Sequence, residues 1–341
     1  MIKFNTQLFF DREKNILISF LDWGLGHTTR CIPIIQKLIL EGKNVVVFCD
    51  KKAATIIKEE FPQIEIILIP GYNISYSKKP SLFLLKIIGQ LPKIIRRILH
   101  EKKIVKNYAR AHQVDLIISD NRFGFRNKKI KSVIISHQLL IKTGFSWLDS
   151  FVQRLNYFFI NQFDECWIPD IEENGGLAGE LSHPIKKPQI PIHYLGVLSR
   201  FKPLNIPPKI KLTVLLSGPE PQRTILEKII IDQLCHIIGP IVIVRGLPNQ
   251  KETLSLNQSN ITQFNHLNKA ALNELLCQSE QILARAGYST IMDLVVLNKK
   301  AILIPTKGQT EQEFLARHLS NHPLFVFEEQ DKLDLKNLLN Y

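Results

Sequence analysis

Asp22-Trp23-Gly24-Leu25-Gly26-His27-Thr28-Thr29-Arg30 puts a glycine-rich turn, an imidazole, two hydroxyls and a guanidinium into nine residues. Gly24 and Gly26 permit a tight turn and close approach of backbone to a ligand. Thr28 and Thr29 open a helix, whose unpaired N–H groups favour anions and polarised oxygens. His27 at that positive end resists protonation, which suits a general base. Asp120, in Ser119-Asp120-Asn121-Arg122, and His137, in Ser136-His137-Gln138, each follow an apolar run and are candidates to reach the same ligand. On this reading either Asp120 or His27 is the base.

Three further segments have the chemistry of an anion and polyol site. Ser217-Gly218-Pro219-Glu220-Pro221-Gln222-Arg223-Thr224 follows an apolar run and leads into a helix. Ser217 and Gly218 offer donors to a phosphate there, and Arg223 offers charge. In Ala284-Arg285-Ala286-Gly287-Tyr288-Ser289-Thr290-Ile291-Met292-Asp293, Gly287 allows the turn. Ser289 and Thr290 sit at a helix start suited to a diphosphate, with Arg285 beside them. Asp293, one turn on, is placed to accept from ribose hydroxyls. Pro305 to Glu313 supplies Gln309, Gln312 and Glu313, amides and a carboxylate that match a polyhydroxyl ligand.

These segments need elements to hold them. Residues 15–21, 44–49, 64–69, 114–119, 132–136 and 166–168 read as short buried strands with helical stretches between them. Strands without alternation, separated by helices, predict a parallel sheet covered on both faces. Residues 196–210 hold three prolines and no helical period, as a linker does. A second series follows: strands at 211–216, 240–245, 281–284 and 301–304, and helices at 222–237, 269–277, 289–297 and 311–319. The expected architecture is α/β, with two Rossmann-like, doubly wound parallel-sheet domains facing a cleft, over 1–195 and 211–341.

Composition narrows the class. Of 341 residues 45% are hydrophobic and 22% charged, which excludes a disordered chain. Five scattered cysteines without a CxxC pair argue against zinc knuckles and disulfide frameworks. Neither a signal-peptide core nor an apolar run of about 18 residues is present, so the expected location is cytoplasmic. The net charge of +13 is concentrated: Lys78 to Arg110 holds ten Lys and Arg against one acid, Glu101. Leu91, Ile94, Ile95 and Ile98 recur there at helical spacing, with Lys93, Arg96, Arg97, Lys102 and Lys103 supplying charge. A cationic amphipathic helix predicts peripheral attachment to an anionic membrane surface, on the inner face of the cytoplasmic membrane. Recognised nucleic-acid-reading motifs are missing, so no nucleic-acid partner is expected.

Together the segments resemble the GT-B glycosyltransferases of family 28, which include the enzyme that adds N-acetylglucosamine to a lipid-linked cell-wall precursor. The resemblance implies a glycosyltransferase. Its donor is expected to be a nucleotide-sugar, a UDP-sugar such as UDP-GlcNAc, and its acceptor a sugar or lipid-linked molecule. It places the turn Gly24–His27, with Gly26, on the acceptor side; the reading of the residues adds Thr28, Arg30 and His137 there, with His27 and Asp120 catalytic. It assigns Ser217, Gly218, Arg223, Arg285, Gly287, Ser289, Thr290, Asp293, Gln309, Gln312 and Glu313 to the donor. The family more often has Glu where Asp293 stands, and a Gly-rich rather than Pro-rich phosphate loop. Without an Asp-x-Asp triplet the reaction is expected to be free of metal, and with attack opposite the departing diphosphate it is expected to be inverting; no cofactor is expected, the nucleotide-sugar being a substrate. The run GLGHTTRC also resembles the GxGHxxR turn of nucleotide-sugar hydrolases of the same superfamily. A hydrolase, a 2-epimerase and a non-catalytic, membrane-docked sugar-nucleotide-binding subunit are the alternatives.

Overall fold

The run NILISF forms a strand because every residue after Asn15 is covered on both sides of the sheet. In the computed structural model, which describes residues 13–22, 25–72, 83–144, 146–248, 250, 252, 254 and 258–339, the chain divides into two compact units, Met1–Leu198 and Ser199–Tyr341.

The first unit runs β1 (Asn15–Phe20), α1 (Leu25–Leu40), β2 (Asn44–Cys49), α2 (Lys51–Glu60), β3 (Glu65–Leu68), α3 (Phe83–Ala111), β4 (Leu116–Asp120), β5 (Lys131–Ile135), α4 (Ser146–Ile160), β6 (Glu165–Ile168) and β7 (Ile192–Tyr194). Among the described residues the strands pair in the order β3-β2-β1-β4-β5-β6-β7, all parallel. The order reverses between β1 and β4, which makes their carboxyl ends the topological switch point, where open α/β sheets bind ligands. Asp120, the last residue of β4, is in register with Phe20, the last of β1. Leu17, Val46, Phe48, Ile117 and Phe125 form a core closed by Val105 of α3.

The second unit runs β8 (Ile210–Leu215), α5 (Gln222–Ile231), β9 (Ile241–Val244), β10 (Ile261–Phe264), α6 (Lys269–Gln278), β11 (Ser279–Arg285), α7 (Tyr288–Leu297), β12 (Ala301–Ile304), α8 (Thr310–His318), β13 (Phe325–Phe327) and α9 (Leu335–Leu338). Its described strands pair in parallel in the order β10-β9-β8-β11-β12-β13. The switch point lies between β8 and β11. Leu212, Val214, Leu226, Ile230, Ile243, Leu283 and Ile302 fill its core.

Some bounds differ from the sequence reading. The helix expected over 222–237 ends at Ile231. Beyond it the Gln233 side chain donates to Leu333 O and accepts from Leu335 N, and the chain tightens into a 3₁₀ turn at Leu234–His236. The strand expected over 281–284 starts at Ser279, whose hydroxyl pairs with Thr213 of β8, and it reaches Arg285. In the prolyl stretch, Ser199 bonds Asp293 and Lys202 pairs with Asn273, so this segment is anchored on the second unit. No helix among the described residues is long and apolar enough to cross a membrane.

Candidate active site

At the switch point of the first unit, β1 delivers the start of α1 and β4 delivers Asp120. His27 Nδ1 lies 2.8 Å from Asp120 Oδ1. One turn along α1, Arg30 turns the same way and grips Asp120 through Nε, at 2.5 Å, and NH2. Its NH1 donates to His137 Nδ1 at 2.8 Å, and its NH2 is 2.7 Å from His27 Nδ1. The Cys31 thiol also points to Asp120, at 3.4 Å.

Burial alone would raise the Asp120 carboxyl, yet Arg30 and then His27 outweigh it and hold it far below the usual carboxylate range. Asp120 is 0% exposed, a buried anion fixed beside the His27 ring. The His27 imidazole is lowered from its ordinary value by burial and then by the Arg30 charge, with Asp120 pulling back. A neutral ring whose Nδ1 faces a carboxylate leaves Nε2 to take a proton.

Three expectations for this site change. Asp120, a candidate base, is sealed behind Arg30. Arg30 and His137, expected to face a ligand, are buried against each other. Thr28 is buried and turned into the unit. Gly26 is half-buried and its carbonyl accepts from the Thr29 hydroxyl at 3.2 Å. Gly24 lies outside the described residues.

Asp22 is held from a direction the sequence did not suggest. Asp22 Oδ1 accepts from Tyr72 N at 2.9 Å. A Cβ on Gly71 would land on the Asp22 carboxylate, so only glycine fits there. Tyr72 donates to Glu101 of α3 at 2.9 Å, and Glu101 pairs at 2.7 Å with buried Arg122, two residues past Asp120. The lone acid of the basic helix thus pins it to the site's own loops.

In the second unit, Arg285 ends β11 only 1% exposed. Its NH2 donates to Gln222 O and Gln330 Oε1, both at 2.7 Å, and NH1 reaches Pro305 O at 3.5 Å. All are neutral acceptors; no carboxylate among the described residues pairs with it. Its Nε, Gln222 Oε1 and Thr306 Oγ1 are buried without a hydrogen-bond partner. Burial lowers the guanidinium to about 10, with no neighbouring carboxylate among the described residues to pull it back. Beside it α7 starts at Gly287 with no side-chain cap, and Ser289 and Thr290 are half-buried in its first turn. Asp293, one turn on, accepts from the Ser199 hydroxyl.

Other donor-side expectations fare differently. Arg223 is not open to a phosphate: it is buried, with Nε on Glu220 at 2.6 Å and NH1 on Glu227 at 3.2 Å. Glu220 also accepts from the Thr224 hydroxyl at 2.7 Å, so a carboxylate already covers the start of α5. Ser217 and Gly218 stay exposed, Gly218 at φ +102 in the region that favours glycine. Gln312 is turned into its own loop, accepting from Thr306 N at 2.8 Å and donating to Gln309 at 2.7 Å. Glu313 accepts from Gly308 N at 2.7 Å. These side chains build the turn before α8. Gln330 escaped the sequence reading, because it lies 45 residues from Arg285 with no motif around it.

Residues 219–341 match the glycosyltransferase family 28 C-terminal domain. Those residues are a family 28-like glycosyltransferase C-terminal domain. Both units together have the GT-B fold. The glycotransferase of kitacinnamycin is similar at 12% identity and a TM-score of 0.68, over 96% of this chain and 90% of that one. MurG from Acinetobacter baumannii is similar at 14% identity and a TM-score of 0.55, over 96% and 89%. Arabidopsis thaliana UGT89C1, solved in complex with UDP-L-rhamnose, is similar at 12% identity and 0.64, over 96% and 90%. No curated protein matches the sequence.

Proposed function

We propose that this glycosyltransferase takes a sugar from a nucleoside diphosphate donor, a UDP-sugar such as UDP-GlcNAc, and passes it with inversion to the hydroxyl of a sugar or lipid-linked acceptor. The observation that carries the donor class is Arg285, a buried cation that meets only neutral oxygens and keeps one N–H unused. A diphosphate supplies the missing negative charge. The uncapped first turn of α7, through Gly287, Ser289 and Thr290, and the exposed Ser217 and Gly218 add donors to it. Asp293 is assigned to the ribose, and Gln309 and Glu313 to the sugar. The reading needs no metal, because Arg285 and the α7 amides offset the leaving group's charge.

On the first unit His27 acts as the base. The acceptor oxygen attacks the anomeric carbon, its proton passes to His27 Nε2, and the bond to the β-phosphate oxygen breaks with its electron pair leaving on the nucleoside diphosphate. Attack from the face opposite the departing group inverts the configuration. Peripheral attachment is assigned to α3, where Lys93, Arg96 and Lys103 are exposed and Arg97 is half-buried. Lys102, roughly two and a half turns from Lys93, falls on the other side of the helix and is left out of that face. Exposed Phe151 and Phe158 of α4 add apolar surface that favours insertion.

The test of the donor site is UDP affinity. Arg285→Met keeps the bulk and removes the charge, and is expected to weaken UDP binding by at least about tenfold, a lost charge-assisted bond being worth about 1.5–3 kcal/mol. Unchanged affinity in a folded variant would reject the site. Release of free sugar without acceptor, at the rate of transfer, would favour hydrolysis instead.

A further inference from the structure

A guanidinium is a poor neighbour for a group that must accept a proton, yet Arg30 stands as close to His27 as Asp120 does, 2.7 Å against 2.8 Å. With Nε2 as the free acceptor, the Nδ1 proton of His27 goes to Asp120, and the approach of Arg30 NH2 to Nδ1 is a close contact of charge and ring, not a hydrogen bond. A guanidinium only donates, so His137 Nδ1 is an acceptor for NH1. The remaining nitrogens hold both oxygens of Asp120 in a two-pronged pair. In a plain His–Asp pair the carboxylate's charge falls on the ring alone and stabilises imidazolium. Here the carboxylate is shared. The charged and titratable groups facing His27 among the described residues are Arg30 from α1, Asp120 from β4 and His137 from the loop after β5. Their nearest charges, one positive and one negative, cancel at the ring, and burial then decides against imidazolium.

We propose that Arg30 is a positioning residue: by sharing Asp120 with His27, and being held in place by His137, it keeps the His27 ring uncharged where a ring paired with a carboxylate alone would already hold a proton. The inference rests on the reading of His27 as the base. Its consequence is a transferase that keeps working as the pH falls, since activity is lost only when the ring takes up a proton.

The ¹⁵N shifts of the His27 ring, titrated in the full protein without substrate and assigned by their absence in His27→Ala, test this directly. The wild-type ring is expected to titrate below 6.5, the ordinary imidazole value. A value at or above 6.5 overturns the proposal with no variant needed. Arg30→Gln is expected to move the midpoint upward, past 6.5, as Asp120 then serves the ring alone. His137→Leu should move it the same way, and His137→Gln, whose amide oxygen can accept from NH1, should restore it. Identical midpoints in all four proteins overturn the proposal. The acid limb of kcat/KM should follow the same order, whereas a merely structural Arg30 would lower the rate at every pH without moving the limb. A fully active His27→Ala would sink the base reading while leaving the ring titration as measured, so the two failures are distinguishable.

Discussion

Burial pushes the Asp293 carboxyl up to about 7, with the Ser199 hydroxyl and Arg200 pulling it back. Unfolded, the same carboxyl titrates near 3.8. Between those values the folded chain holds a proton that the unfolded chain has lost. Stability from this group is therefore complete at low pH and falls as pH rises through about 7. Asp293→Asn keeps an oxygen for Ser199 and has no proton to lose. It is expected to melt higher than wild type at about pH 8 and close to it at about pH 4; a lower melting temperature at both would contradict the assignment. Other residues at this scale were legible to different degrees. His27 and Asp120 could be found from strand ends and residue type. Arg223 looked like a phosphate ligand, yet Glu220 and Glu227 stand at i−3 and i+4 from it, spacing that favours pairing along a helix. That signal was in the sequence. The link from Arg285 to Gln330 was not, because only the fold brings them together.

At the scale of elements, α3 shows what a one-dimensional charge count hides. Its eight cations suggested a helix lying on a membrane surface, but Ile98, Glu101 and Val105 are buried on one side, and Glu101 meets Tyr72, Arg122 and Gly124 N. A Cβ on Gly124 would collide with the Ile98 carbonyl oxygen of α3 and with Glu101. Gly124→Ala is expected to destabilise the protein by about 1–3 kcal/mol, as overpacking does, read as a lower denaturant midpoint; an unchanged midpoint would mean α3 packs elsewhere. Of the apolar positions at helical spacing, Ile95 is 50% exposed, and the Leu91 side chain lies outside those described. The outward face carries a second expectation. Changing Lys93, Arg96 and Arg97 to Glu should abolish flotation with anionic vesicles, at about 1 kcal/mol per basic residue. Equal flotation of variant and wild type would remove the membrane from the account. Strand character was readable where both faces are buried, as in β1 and β4. It was not readable in β7, β10 and β13, three or four residues long, each at a sheet edge and none buried throughout.

At the scale of the molecule, one topological rule accounts for both halves of the chemistry. Each sheet reverses its strand order once, and each reversal collects the groups of one site: His27, Arg30 and Asp120 between β1 and β4, and Arg285 with the start of α7 between β8 and β11. The two-sheet architecture was readable because unalternated strands and intervening helices leave few alternatives. The proposed division of labour follows from it: donor on the second unit, base on the first. The most direct test pairs two readings on one variant, His27→Ala. Transfer from a UDP-sugar is expected to fall by about 10²–10⁴-fold, the usual contribution of a general base, while UDP affinity stays at the wild-type value. Undiminished transfer, or a collapse of UDP affinity in a protein that still folds, would contradict the account.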